Sequence, residues 1–124
     1  MNNLTRHVPF FHLLLTTHTK QKQALLKSSS REQITALCEI LLNILHKNIQ
    51  TTNTEKKYMN KIKKAITSLL KKTVKLPTKQ RLLTKNLKLV DIILNSALTH
   101  INNNGNKNST EVYSDTDGEI QENE

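Results

Sequence analysis

The chain has 124 residues, 35% of them hydrophobic, with only four aromatic residues (Phe10, Phe11, Tyr58, Tyr113), no Trp, two Gly and two Pro. That length suits one domain with one modest core, which Leu and Ile must fill by helix-on-helix packing, and the composition excludes a turn-rich sandwich or barrel. The formal charge is +9, yet six of the ten acids (Glu111, Asp115, Asp117, Glu119, Glu122, Glu124) follow the last basic residue, Lys107, so residues 1–107 hold all 19 cations against four acids, a net +15; such an excess repels itself unless something anionic neutralises it.

Residues 4–27 hold two short helical candidates, an apolar one through Phe10, Phe11, Leu13, Leu14 and Leu15, and a polar one with Ala24, Leu25 and Leu26. A run of polar residues at 16–19 separates them. Ser29 and Ser30 then precede Arg31-Glu32-Gln33, the spacing of a capping box, and predict the start of a long helix. At 100° per residue, Ile34, Leu37, Cys38, Ile40, Leu41, Leu42, Ile44, Leu45 and Ile49 fall on an arc of about 200°, too wide for a surface helix, so residues 30–49 are expected at the centre of the bundle. Cys38 lies inside that arc and reads as a buried, inert thiol.

Thr52 with Glu55 three residues on gives a second capping box, and residues 55–75 read as the most amphipathic segment of the chain. Tyr58, Met59, Ile62, Ala65, Ile66, Leu69 and Leu70 share about 140° of the wheel, and Lys56, Lys57, Lys61, Lys63, Lys64, Lys71, Lys72 and Lys75 fall outside it, giving an uninterrupted cationic face. Pro77 cannot continue that helix and disfavours helical geometry at Leu76, so a turn is expected there, with a restart near Thr78. From Lys79 to about Ile101 a last helix places Leu82, Leu83, Leu87, Val90, Ile93, Leu94, Ala97, Leu98 and Ile101 on one broad face. Leu89 and Ile92 lie off that face, which points to a second contact, with another copy or a different partner. Asn102-Asn103-Asn104-Gly105 is expected to end the helix, and the polar, acidic remainder to be disordered.

The single cysteine excludes an internal disulfide and cannot supply the thiolates of a structural zinc site. No apolar run approaches the roughly 20 residues of a membrane-spanning helix, and the first residues do not read as a secretion signal, so an intracellular place is expected. There is no Gly-rich phosphate loop, no nucleophile elbow and no paired histidine on a helix face; His7, His12, His18, His46 and His100 stand singly. Glu39 and Asp91 are lone helical carboxylates suited to pairing with lysines. Neither an enzyme, a small-molecule substrate, a metal nor a cofactor is therefore expected.

The lysine face carries the chemistry. Lys outnumbers Arg 16 to 3, and an ammonium is a point charge rather than a planar fork, so phosphate contact without base readout is expected through the eight lysines above together with Lys79 and Arg81. Aromatic residues that would stack single-stranded bases are nearly absent from it. Duplex DNA or another polyanion is thus the first partner; a helical protein-interaction module built on Leu89 and Ile92 is the alternative, and an anionic membrane surface ranks third. In the tail, Ser114 and Thr116 each have an acid three residues on, and the tail's negative charge could compete with nucleic acid for the lysines.

Residues 21–49 (QKQALLKSSSREQITALCEILLNILHKNI) and 56–83 (KKYMNKIKKAITSLLKKTVKLPTKQRLL) resemble a family of small basic proteins of adintoviruses and Maverick/Polinton elements, likened to adenovirus core protein X. The resemblance implies a non-enzymatic virion-core protein that packages double-stranded DNA, in the virion or the nucleus, with Lys56, Lys57, Lys61, Lys63, Lys64, Lys71, Lys72 and Lys75 as its basic segment. The chain departs from that pattern after residue 86, where an amphipathic helix and an acidic tail stand in place of a Gly-Gly-containing hydrophobic terminus. The expected architecture is all-α: a small irregular bundle of four to five helices over residues 1–103, followed by a disordered acidic tail over 104–124.

Overall fold

A computed structural model describes the backbone of residues 2–105 and the side chains of residues 4–102; the acidic tail from residue 106 onward, with its Ser114 and Thr116, lies outside the described residues. The chain is all-α. Among the described residues a 3-10 helix, Asn2–His7, is followed by seven α-helices: α1 Val8–Thr16, α2 Thr19–Lys27, α3 Arg31–Leu45, α4 Asn53–Lys61, α5 Lys63–Leu70, α6 Leu76–Lys85 and α7 Leu87–Gly105, with no strand.

Both capping boxes form. The Ser30 hydroxyl accepts from the Gln33 amide at 3.1 Å while the Ser30 amide donates to Gln33 Oε1 at 2.9 Å. Thr52 and Glu55 make the same reciprocal pair at 3.1 and 2.9 Å. Each box satisfies two amides that the first turn would otherwise leave open, and such a cap stabilises by about 1 kcal/mol. Thr17 and His18 break the chain between α1 and α2, in the polar stretch expected to do so.

Two helices expected to be continuous are each split, which brings the count to seven. The 55–75 segment bends at Ile62 (φ −106°, ψ 30°), where one amide is shared between the Tyr58 and Met59 carbonyls at 3.3 and 3.2 Å. No Gly or Pro marks the bend; like charges at Lys57/Lys61 and Lys61/Lys64 weaken the helix there. Leu70 ends α5, so Lys71 and Lys72 sit in a turn rather than on a helix. The 79–101 segment breaks at Asn86 (φ −123°, ψ 59°), whose side-chain amide donates to the Leu82 carbonyl at 2.7 Å. That bond draws the backbone out of helical geometry, as short amide side chains do. Pro77 does not delay α6: it occupies the first turn, where its missing N–H costs nothing, and α6 starts at Leu76.

The core is aliphatic around one phenylalanine, with Leu4, Phe11, Leu14, Leu26, Leu37, Ile40, Leu41, Leu69, Leu83 and Ile93 fully enclosed. Helix α3 is its centre, packing against α5, α6, α7 and the 3-10 helix; α1 rests on α7, and α2 on α6. The wide apolar arc of α3 is not buried in full. Leu42 and Leu45 are 41% and 42% exposed, because the neighbours of α3 leave one side of its last turns open. Beyond α3, Lys47 takes a left-handed conformation (φ 63°), and the Lys47 and Asn48 amides donate back to the Ile44 and Asn43 carbonyls at 3.0 and 2.9 Å. This is the helix-closing geometry that Gly usually supplies.

Leu89 and Ile92 do not form the second-contact surface expected of them. They are 0% and 4% exposed and belong to the core. The break at Asn86 separates α7 from the helix whose phase predicted them off-face, and α7 is packed on two sides, by α3 and by α1. One charged pair has its cation buried beside them: Lys22 Nζ meets Asp91 Oδ1 at 2.8 Å, with side-chain exposures of 11% and 44%, and joins α2 to α7. Asp91 thus pairs with a lysine, as expected of a lone helical carboxylate.

Candidate polyanion interface

The amphipathic pattern of 55–70 folds as its wheel predicts. Met59, Ile66 and Leu69 are buried and Tyr58, Ile62, Ala65 and Leu70 half-buried, and apart from the half-buried Glu55 and Ser68 the remaining positions face water. Lys56, Lys57 and Lys61 on α4, and Lys63 and Lys64 on α5, are all exposed. Lys71 and Lys72 in the following turn, Lys75 at the cap of α6 and Arg81 within α6 are exposed as well. Lys79 is half-buried and close enough to Cys38 to act on its thiol. The cations therefore run along two short helices, a turn and the start of a third, rather than along one continuous helical face.

The carboxylates of the described residues leave these cations uncompensated. The ion pairs found there are Lys22–Asp91 and Arg6–Glu32, the latter at 3.7 Å between two well-exposed side chains. Glu55 uses its carboxylate on the Thr52 amide. None of the ten expected cations is in an ion pair among the described residues. At the bend the local potential rises further: α5 begins with Lys63 and Lys64, has no acid in its first turn and no side-chain cap, so two ammonium groups add to the positive end of its dipole.

Two side chains near this surface are held out of chemistry. Tyr58 lies with Lys88 Nζ 5.0 Å from its ring centroid, a cation–π contact that occupies the face a base would need. Burial raises its hydroxyl pKa, and the Leu89 backbone acts in the opposite sense. The Cys38 thiol donates to the Leu69 carbonyl at 3.6 Å. Burial raises its pKa and Lys79 pulls it down by less, which favours the protonated thiol; Cys38 is half-buried rather than buried as its place on the apolar arc predicts.

A groove of about 380 Å³ lies beside the lysines, between the end of α3 and the α4–α5 pair, and is not among the features the sequence predicts. Its floor is Ile44, Met59, Ile66 and Leu70, and its rim carries Lys47, Lys56 and Lys63. The signal for it is the excess width of the α3 apolar arc, which the other helices do not cover. Lys47 is missing from the predicted cations because it lies outside the 56–81 segment and joins it only in space.

No helix among the described residues is long and apolar enough to cross a membrane. Among the same residues no group of three His, Cys, Asp or Glu side chains could hold a metal ion. No protein-family model, no curated protein and no solved structure matches this chain.

Proposed function

We propose that the protein is a non-enzymatic, DNA-associated structural protein that binds duplex DNA without sequence preference through the cations of α4, α5, the 71–75 segment and α6. One observation carries the reading: Lys56, Lys57, Lys61, Lys63, Lys64, Lys71, Lys72 and Lys75 are all exposed and no carboxylate of the described residues pairs with them. Ammonium groups on flexible stems meet phosphates as point charges, and affinity then comes from release of the counterions condensed on the duplex. The bend at Ile62 and the turn after Leu70 set these charges on several short elements, an arrangement suited to a curved phosphate backbone rather than to a recognition helix lying in a groove. The resemblance to the basic core proteins of adintoviruses and Maverick/Polinton elements agrees with this reading and favours a role in packaging, in a virion or a nucleus.

The test is the affinity for a random-sequence duplex between roughly 50 and 200 mM salt, beside a variant carrying Lys61→Gln, Lys63→Gln, Lys64→Gln, Lys71→Gln and Lys72→Gln. The expected result is steep salt dependence in the parent, with a slope lower by up to about 4.5 in the variant, at about 0.9 for each phosphate no longer neutralised. Equal binding by the two proteins, or none at the lowest salt, would remove the proposal.

A further inference from the structure

The groove between α3 and the α4–α5 pair is apolar at its floor and cationic at its rim, a combination that selects an acidic segment bearing one or two apolar side chains. We propose that its occupant is the chain's own acidic region, residues 111–120, with Val112 and Tyr113 on the floor and the flanking carboxylates against the rim lysines. This goes beyond the polyanion reading and does not depend on it.

Three observations favour this occupant. The first is chemical fit. Lys47, Lys56 and Lys63 stand at the rim, and residues 111–120 carry Glu111, Asp115, Asp117 and Glu119 around Val112, Tyr113 and Ile120. A buried ring in an apolar pocket with opposite charges around it is the usual anatomy of a specific contact. The volume, about 380 Å³, is within the range of pockets that enclose a ligand of such size.

The second is placement. Thr51 lines this groove and also a neighbouring one walled by Asn95, Ser96, Thr99 and His100 of α7, so Thr51 stands between the groove and a cleft along the helix from which the acidic region departs. Helix α7 runs five residues past His100 to Gly105, about 7.5 Å at 1.5 Å per residue. Residues 106–124 can extend by roughly 60 Å, and 111–113 come early in that reach. The third is the exclusion of a second copy, which would bring another strongly cationic surface against a lysine-rimmed one; like-charge juxtaposition opposes it.

The experiment is methyl NMR of the full chain beside a Val112→Ser, Tyr113→Ser variant. Expected are shifts of the Ile44, Met59, Ile66 and Leu70 methyl signals on substitution, with Leu4, Leu14 and Leu26 unmoved and the same result after tenfold dilution. Nuclear Overhauser contacts from the Tyr113 ring to the Met59 and Ile66 methyls are expected in the parent chain. Unmoved groove signals with no such contacts would overturn the proposal. So would shifts that vanish on dilution, which would assign the groove to another copy. Because DNA takes no part in these spectra, a failure of duplex binding leaves this result standing, and the reverse also holds.

Discussion

At the scale of single residues, Lys47 is the position where a side chain works against its backbone. With φ at 63° its Cβ crowds the carbonyl, a strain of about 1–2 kcal/mol that glycine avoids. Glycine also gives the unfolded chain more freedom, which offsets part of the gain. Lys47→Gly is therefore expected to stabilise by about 0.5–1 kcal/mol, read as a melting temperature a few degrees higher; a lower one would show that the ammonium contributes more than the strain costs. Cys38 gives a pH-dependent expectation. Its thiol holds a proton more tightly folded than unfolded, so that contribution to stability is full below the ordinary thiol pKa of about 8.5 and is lost as the pH climbs through the raised folded value. Alkylation by iodoacetamide should be slower than that of glutathione at pH 8, with a midpoint displaced upward. A midpoint at or below the ordinary value would contradict the burial argument.

At the scale of elements, the joint between α2 and α7 rests on Lys22 and Asp91. Asp91→Asn leaves a nearly enclosed ammonium without its counter-charge and is expected to cost about 1.5–3 kcal/mol in denaturant unfolding. Adding Lys22→Met should restore most of the loss, since removing both charges is far less costly than stranding one; no recovery in the double variant would place the effect elsewhere in α7. Helix starts are legible in the sequence because they are local: Ser30 with Gln33 and Thr52 with Glu55 declare themselves within four residues. The two breaks are not. Ile62 carries no sequence mark, and a single Asn86 inside a strong apolar repeat is outvoted by its neighbours until its hydrogen bond to Leu82 is seen. Leu89 and Ile92 are misplaced by the wheel for a different reason. A wheel shows which face is apolar, but not how many helices will cover it, and α7 is covered from two sides.

At the scale of the whole molecule, charge opposes the fold. Residues 1–107 carry a net +15, and few of those cations have a carboxylate nearby among the described residues. Raising the ionic strength from about 0.01 to 0.15 M shortens the screening length from about 30 to 8 Å, so the melting temperature should rise across that interval. The rise should be smaller in the five-glutamine variant. A melting temperature indifferent to salt would mean that the lysines are too far apart to repel. Lysine exposure is legible from the 55–70 wheel, whereas the groove beside it requires knowing that Lys47 folds back next to Lys56 and Lys63.

The pairing of α1 and α2 with α7 and α6 has a consequence for how the protein comes into being. Lys22 and Asp91 are separated by 69 positions, and the Gln80 side chain that donates to the Ser29 carbonyl at 2.7 Å lies 51 positions from it. Phe11, Leu14 and Leu26 of the first two helices are buried in a bundle where α1 packs chiefly on α7 and α2 on α6, so their full burial needs the last two helices. A ribosome therefore exposes these apolar side chains for most of the time it takes to make the domain, and assembly waits for α7. Closing such distant ends is slower than folding a bundle of neighbouring hairpins. It also ties the two ends of the chain into one packed core, so a change that loosens α1 or α2 is expected to loosen α6 and α7 with it.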